Sequence, residues 1–229
     1  MNSHRNWLRI ALGATALVAA PTLAHTVASG DQAFIEASTG TQIGPFVYLG
    51  AKHMVTGYDH LLFLFGVVFF VYKLKHVAIY VTLFAIGHSV TLLGGVMFGV
   101  SVSAYLVDAI IGLSIVYKAL DNLDAWRRWF GFQPNTKLAV LIFGFFHGLG
   151  LATKVQDFDM SPDGLIPNLL AFNVGVEIGQ LLALAAILIA MGYWRRTPSF
   201  RAHAYAANVA IMTAGFVFFG LQMSGYFVV

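Results

Sequence analysis

The chain contains no cysteine, which removes disulfides, thiolate metal sites, iron–sulfur clusters and cysteine nucleophiles together. Any metal it handles must be held by nitrogen and oxygen. Charge is scarce as well: Asp, Glu, Lys and Arg make up 10% of the 229 residues, against about 25% in an ordinary soluble domain. That leaves too little polar surface for a water-soluble body. With 59% hydrophobic residues and 20 phenylalanines, the uncovered apolar surface must face lipid. A net charge of +3 reports on orientation here rather than on a nucleic-acid partner, and none is expected. The absence of a G-x-x-x-x-G-K-[ST] loop excludes an ATPase of that type.

What is present begins with a leader-like segment. Arg5 and Arg9 precede an apolar stretch, Ile10 to Ala20, too short to span a bilayer, and Thr22-Leu23-Ala24 offers a small-residue cleavage site. Residues 1–24 are expected to be a cleaved signal peptide, with 25–229 forming a single transmembrane domain. Cleavage would expose His25 at the new N-terminus, where amine and imidazole can chelate a divalent ion; the plainer reading is that His25 merely follows the cut.

Six apolar stretches follow, near 57–73, 76–98, 103–121, 137–153, 166–192 and 204–227, each matching the roughly 20 residues of a membrane span. The expected fold is all-α, a polytopic membrane protein with six transmembrane helices. Ahead of the first span, residues 40–56 carry Gly44, Pro45 and Gly50 and suit a short interfacial or re-entrant segment on the outer side. Lys73, Lys75, Lys118, Arg127, Arg128, Lys137, Arg195, Arg196 and Arg201 fall in or beside alternate loops, whereas the other loops hold only Lys52 and Lys154 among acidic residues. Basic residues collect on the cytoplasmic side, so both mature termini are expected to be periplasmic in a bacterial inner membrane.

Polar groups within the spans carry the chemistry. His53, Asp59, His60, His88, Asp108, His147 and Glu177 lie in or at the edge of apolar stretches, where one ionised group costs about 2.5–3.5 kcal/mol on insertion scales. Imidazoles and carboxylates from several helices form a donor set suited to Ni²⁺, Co²⁺, Cu²⁺ or Zn²⁺. Asn173, Glu177 and Gln180 recur at i, i+4 and i+7, which stacks them on one stripe. Plainer readings stand beside these: solvated residues at a helix mouth for His53, Asp59 and His60, backbone-bonded core histidines for His88 and His147, an interhelical hydrogen-bond patch for the stripe, and a snorkelling carboxylate for Asp108. Gly95/Gly99, Gly144/Gly148 and Gly175/Gly179 are small-x-x-x-small pairs that let helices approach closely.

The motif His53-x5-Asp59-His60 within HMVTGYDHLLFLFG, FGFFHGLGLA at 143–152, GHSVTL at 87–92 and NVGVEIGQL at 173–181 together resemble the HupE/UreJ family of nickel permeases associated with hydrogenase and urease maturation. The resemblance covers roughly residues 40–190 and implies metal uptake through His53, Asp59, His60 and His147, and on similar motif contexts through His88, Asp108 and Glu177. A His-rich tract found in some members is missing here, and residues 25–44 form a short N-terminal region.

The resulting expectation is a permease, not an enzyme, for a divalent cation with nickel first among the candidates. His25, His53, Asp59 and His60 would form an outer mouth. His88, His147 and Glu177 would form a deeper site, with Asn173 and Gln180 as oxygen donors at or behind the ion. No prosthetic group is expected; the partners are the lipid bilayer, the metal ion, metalloenzyme maturation proteins and other copies of the chain. Two alternatives remain open: a metal-delivery or assembly subunit for a copper or nickel enzyme, and a membrane metalloenzyme.

Overall fold

The computed structural model describes residues 29–72, 74–157 and 161–228. Residues 1–24, expected to be a signal peptide, and His25, Lys73 and Asp159 lie outside the described residues. Within them the fold is all helical: α1 (Ser29–Ala37), α2 (Ile43–Thr56), α3 (Tyr58–Val68), α4 (Leu74–Phe98), α5 (Ala104–Asn122), α6 (Ala125–Phe130), α7 (Thr136–Gln156), α8 (Leu165–Trp194) and α9 (Pro198–Val228). Four helices are long and apolar enough to cross a membrane: Lys75–Phe98 of α4, and α7, α8 and α9 in full. In α5 three charged residues, Asp108, Lys118 and Asp121, interrupt an otherwise apolar helix of 19 residues.

Glycine sets how the helices pair. A Cβ on Gly175 of α8 would fall on the Val47 carbonyl of α2, and one on Gly148 of α7 would fall on the His88 carbonyl of α4. Only hydrogen fits at either position, so the backbones touch. The contacts advance together along each pair, Val47 to Ala51 and Met54 against Gly175 to Gly179, and Phe84 to His88 against Gly144 to Gly148, so α2 runs parallel to α8 and α4 parallel to α7. Gly95 continues the second seam against Ala152, whereas Gly99 has nothing near it and takes a left-handed φ of 63° just after α4. The antiparallel pair α5 and α9 meets through Gly112 and Gly215.

Residues 40–56, expected as a short interfacial or re-entrant segment, contain α2, which packs along α8. Asn168 of α8 accepts from the Gln42 amide (2.7 Å) and donates to the Gly40 carbonyl (2.9 Å), which fixes the start of α2 beside the start of α8. From there α2 descends along α8, burying Phe46, Leu49, Gly50 and Met54. Gly57 then breaks the helix with an extended ψ of 102°, and α3 continues. Its end is marked by Arg195, just beyond α8, which donates to the carbonyls of Val68 and Phe69. Thus α2 and α3 together run the length of α8, with their break partway along it.

The apolar core divides into two clusters that use opposite halves of the same helices. One contains Leu92 of α4, Leu151 of α7 and Leu169, Phe172 and Val176 of α8; the other contains Val77 and Phe84 of α4, Val140 of α7 and Leu184 and Met191 of α8. His88 and His147 each fall between the two groups along their own helix, whereas on α3 and α8 the groups adjoin at Phe63/Leu64 and Ala183/Leu184. The buried histidines of α4 and α7 therefore stand where the two apolar cores meet.

The glycine seam gives a direct test. Gly175→Leu should overpack the α2–α8 contact at a cost of about 1–3 kcal/mol and lower the thermal midpoint of the purified protein by several degrees. Gly192→Leu, at a position with nothing within 4 Å, should leave the midpoint in place. Equal midpoints for the two variants would contradict the packing.

Candidate metal centre

The centre is built on the helix break. Gly57 donates its amide to the His53 carbonyl (3.0 Å) and accepts at its own carbonyl from Leu61 (3.0 Å), closing the last turn of α2 and opening the first of α3. His53 ends up in the last turn of α2, and Asp59 and His60 in the first turn of α3. Glycine is required here by close approach: a Cβ on residue 57 would come within 2.7 Å of His60 Nδ1 and 3.2 Å of Asp59 Oδ1. The amide-rich N-terminus of α3 favours the negative charge of Asp59. Both Asp59 and His60 have side chains only 1% exposed.

His60 Nδ1 lies 3.2 Å from Asp59 Oδ1. With an ionised carboxylate opposite it, Nδ1 is the protonated nitrogen and Nε2 carries the lone pair. From α7, His147 Nδ1 donates to the Phe143 carbonyl at 2.7 Å, which assigns the same tautomer. Each ring is thus oriented through Nδ1, the kind of contact that sets the tautomer of a metal-binding imidazole. The His60 and His147 ring centroids are 5.0 Å apart, and His53 stands 5.2 Å from His60. One potential ligand atom each from Asp59, His60 and His147 lies within 4.8 Å of the others. Two ligands on opposite sides of an ion bound at about 2.1 Å would be about 4.2 Å apart, so a divalent cation fits this group with little closure.

Aromatic rings wall the centre. Phe84 meets His147 edge-on at 4.9 Å and His60 at 6.4 Å, and Phe63 lies 5.6 Å from His147. These rings supply no ligands, and they exclude water from charges whose interactions strengthen in the low dielectric that results.

Other residues singled out in the sequence take different places. His88 is 1% exposed and adjoins the centre through Phe84, whose ring stacks on it at 6.1 Å. Asn173 and Gln180 are buried on α8, and their side-chain amides have no hydrogen-bond partner among the described residues. Gln180 follows Gly179, which packs on Ala51 and Met54, and so stands level with His53. Glu177 does not share their face: its side chain is exposed on α8. The reason is angular, since three residues turn a helix by about 300°, leaving Glu177 about 60° away from Gln180. The single stripe is therefore corrected to a buried Asn173/Gln180 pair with Glu177 outside it. Asp108 is likewise engaged elsewhere, accepting from Lys154 Nζ at 2.8 Å across the α5–α7 contact. Asp59 and His60, expected at an outer mouth, stand with His147, expected at a deeper site, in one group, and His53 at the end of α2 lies beside His60.

Some polar groups have no motif to announce them. Lys118 and Asp121 form a buried ion pair near the end of α5, and Asn208 of α9 is fully buried beside Asn122. A signal exists for the first pair, since a lysine and an aspartate three residues apart lie on one helix face, yet their position at a loop boundary gives them the look of ordinary interfacial charges.

No curated protein and no solved structure is significantly similar to the chain. A family model described as HupE / UreJ protein matches residues 29–229, taking in every helix from α1 to α9 and every residue of the centre. The chain belongs to the HupE/UreJ family.

Proposed function

We propose that this membrane protein carries a divalent transition-metal cation across the bilayer through the Asp59, His60 and His147 centre, with nickel as the first candidate and cobalt, copper and zinc as competitors. The family is one of accessory, permease-like proteins associated with nickel and cobalt. The observation that carries the reading is the meeting of one carboxylate and two tautomerically fixed imidazoles at a broken helix inside an apolar bundle. Irregular backbone at membrane depth is tolerated only where protein or a polar path encloses it, and broken helices in transporters place their substrate sites at such breaks.

In this reading there are six spans: α2 with α3 as one discontinuous span, then α4, α5, α7, α8 and α9. Both ends of the domain face the periplasm. Two basic residues then fall in the outer half, and each is neutralised, Lys52 by Asp31 at 2.7 Å and Lys154 by Asp108 at 2.8 Å. The positive-inside pattern survives because the two exceptions are compensated.

A hydrated cation arriving from outside exchanges some waters for Asp59, His60 and His147, with His53 beside them and the amides of Asn173 and Gln180 as oxygen donors for the remaining waters. A neutral imidazole binds metal and an imidazolium does not, so acidification competes with loading. Mixed nitrogen and oxygen ligation with partial hydration keeps binding weak enough for release. Membrane potential, proton exchange or a cytosolic metal sink supplies the driving force. His25 at a processed N-terminus would add a ligand at the periplasmic face, and maturation proteins would take the ion on the other side.

Purified protein in proteoliposomes should accumulate one of Ni²⁺, Co²⁺, Cu²⁺ or Zn²⁺ above empty vesicles. Asp59→Asn, His60→Ala and His147→Ala should each reduce uptake by roughly 10-fold or more, and Glu177→Gln should retain most of it. Stoichiometric binding without accumulation would instead favour the metal-delivery reading. A second expectation concerns the break itself: Gly57→Ala should displace His60 and weaken metal binding by roughly 10-fold while circular dichroism stays unchanged. Undiminished binding in this variant would contradict the assigned geometry.

A further inference from the structure

Beyond the centre, along α3 and α5, the structure closes in two steps. Phe63, one turn past His60, meets Phe84 at 5.7 Å and Phe143 at 5.8 Å, and Phe143 meets Tyr117 of α5 at 5.2 Å. These four rings form an aromatic layer directly below the imidazoles. Tyr117 is followed on α5 by Lys118, whose stem packs 3.2 Å from where a Cβ on Gly66 of α3, one turn past Phe63, would stand, and whose ammonium pairs with Asp121. The Asp121 carboxylate also accepts from Gln133 in the loop before α7 and from Thr136 at the start of α7 (3.4 Å). Its neighbour Asn122 donates to the Gly66 carbonyl of α3 and to the Asn208 side chain of α9, each at 2.9 Å.

Two consecutive residues at the end of α5 therefore tie together α3, α5, α7 and α9. Burying Lys118 and Asp121, with side chains 8% and 5% exposed, is a poor way to gain stability, because desolvation offsets much of the attraction. The pair is better explained by its position across the direction in which a cation held by His60 and His147 would continue towards the end of α5. A resident ammonium there repels a second cation and occupies the carboxylate it would seek. We propose that Lys118, Asp121 and Asn122 form the inner closure of the cation path, and that the cargo reaches the cytoplasmic end of α5 only when these side chains release one another. This rests on the transport reading for its cargo, while the closure itself is a property of the bundle.

The absence of cysteine from the chain makes the test clean. Ser114 is fully buried one turn before Lys118 on the same face of α5 and bonds the Ile111 carbonyl at 2.7 Å; Ser114→Cys is a near-isosteric probe. In inverted membrane vesicles, a membrane-impermeant thiosulfonate should label Ser114→Cys slowly. Adding Asp121→Asn should raise the labelling rate about 10-fold, the signature of a shifted two-state equilibrium. Lys118→Met removes the same pair without leaving a buried carboxamide, and should do likewise if Asp121→Asn does not fold. Folding of each variant is checked by size exclusion. Unchanged labelling in a folded pair-breaking variant would overturn the closure, as would fast labelling of Ser114→Cys alone. If the labelling rises as expected and no metal accumulates in proteoliposomes, the closure stands and the cargo reading falls; if metal accumulates and the labelling does not move, the cargo reading stands and the closure falls.

Discussion

A carboxylate and two imidazoles in the interior of an apolar bundle must be held by fixed groups, because burying them unpaired is costly, and this requirement organises the rest of the structure. The break at Gly57 meets it for Asp59, which is placed in the first turn of α3 at the positive end of the helix dipole, and for His60, which gains Asp59. The Phe143 carbonyl meets it for His147. The glycine seams follow from the same need. Rings on α3 and α7 can approach to 5.0 Å only in a bundle whose neighbouring helices, α2 with α8 and α4 with α7, are drawn together at backbone contact. Filling those seams would push apart the helices that carry the ligands before it disturbed the ligands themselves.

The two apolar cores give the buried histidines of α4 and α7 their position. On each of these helices one histidine stands between segments of the two cores, so its level is fixed by registry between the helices rather than by either of them. Phe63 and Phe84 complete the arrangement by drying one side of the centre, which strengthens its electrostatics and bars direct passage through it. In the proposed transport, movement of a cation past these rings would require a rearrangement of the bundle rather than a simple pore. The inner ties at Asp121 and Asn122 stand where such a rearrangement would have to begin.

Much of this is legible in the sequence, for particular reasons. The long apolar runs fall where α4, α5, α7, α8 and α9 stand, because hydropathy over about 20 residues is a strong signal. His53, Asp59, His60 and His147 stand out because ionisable groups are costly in such runs. The course of α2 is not legible: a glycine- and proline-containing stretch ahead of a clear apolar run reads as a short interfacial or re-entrant segment, and its path along α8 depends on Asn168, 126 residues away from Gln42. Glu177 escapes the stripe because a three-residue spacing leaves the side chains about 60° apart, enough to turn one of them outward at the edge of a helix contact. Asp108 looks like a ligand or a snorkelling group because its partner Lys154 lies 46 residues along the chain, and such pairings are written in tertiary structure alone.

The central claim is that Asp59, His60 and His147 bind one divalent cation together. X-ray absorption at the nickel edge of purified protein loaded with one equivalent of Ni²⁺ addresses it most directly. The account predicts nitrogen and oxygen ligation with the outer scattering pattern of two imidazoles, reduced to one in His60→Ala and in His147→Ala alike. A spectrum without imidazole scattering, or one unaltered in both variants, would contradict it.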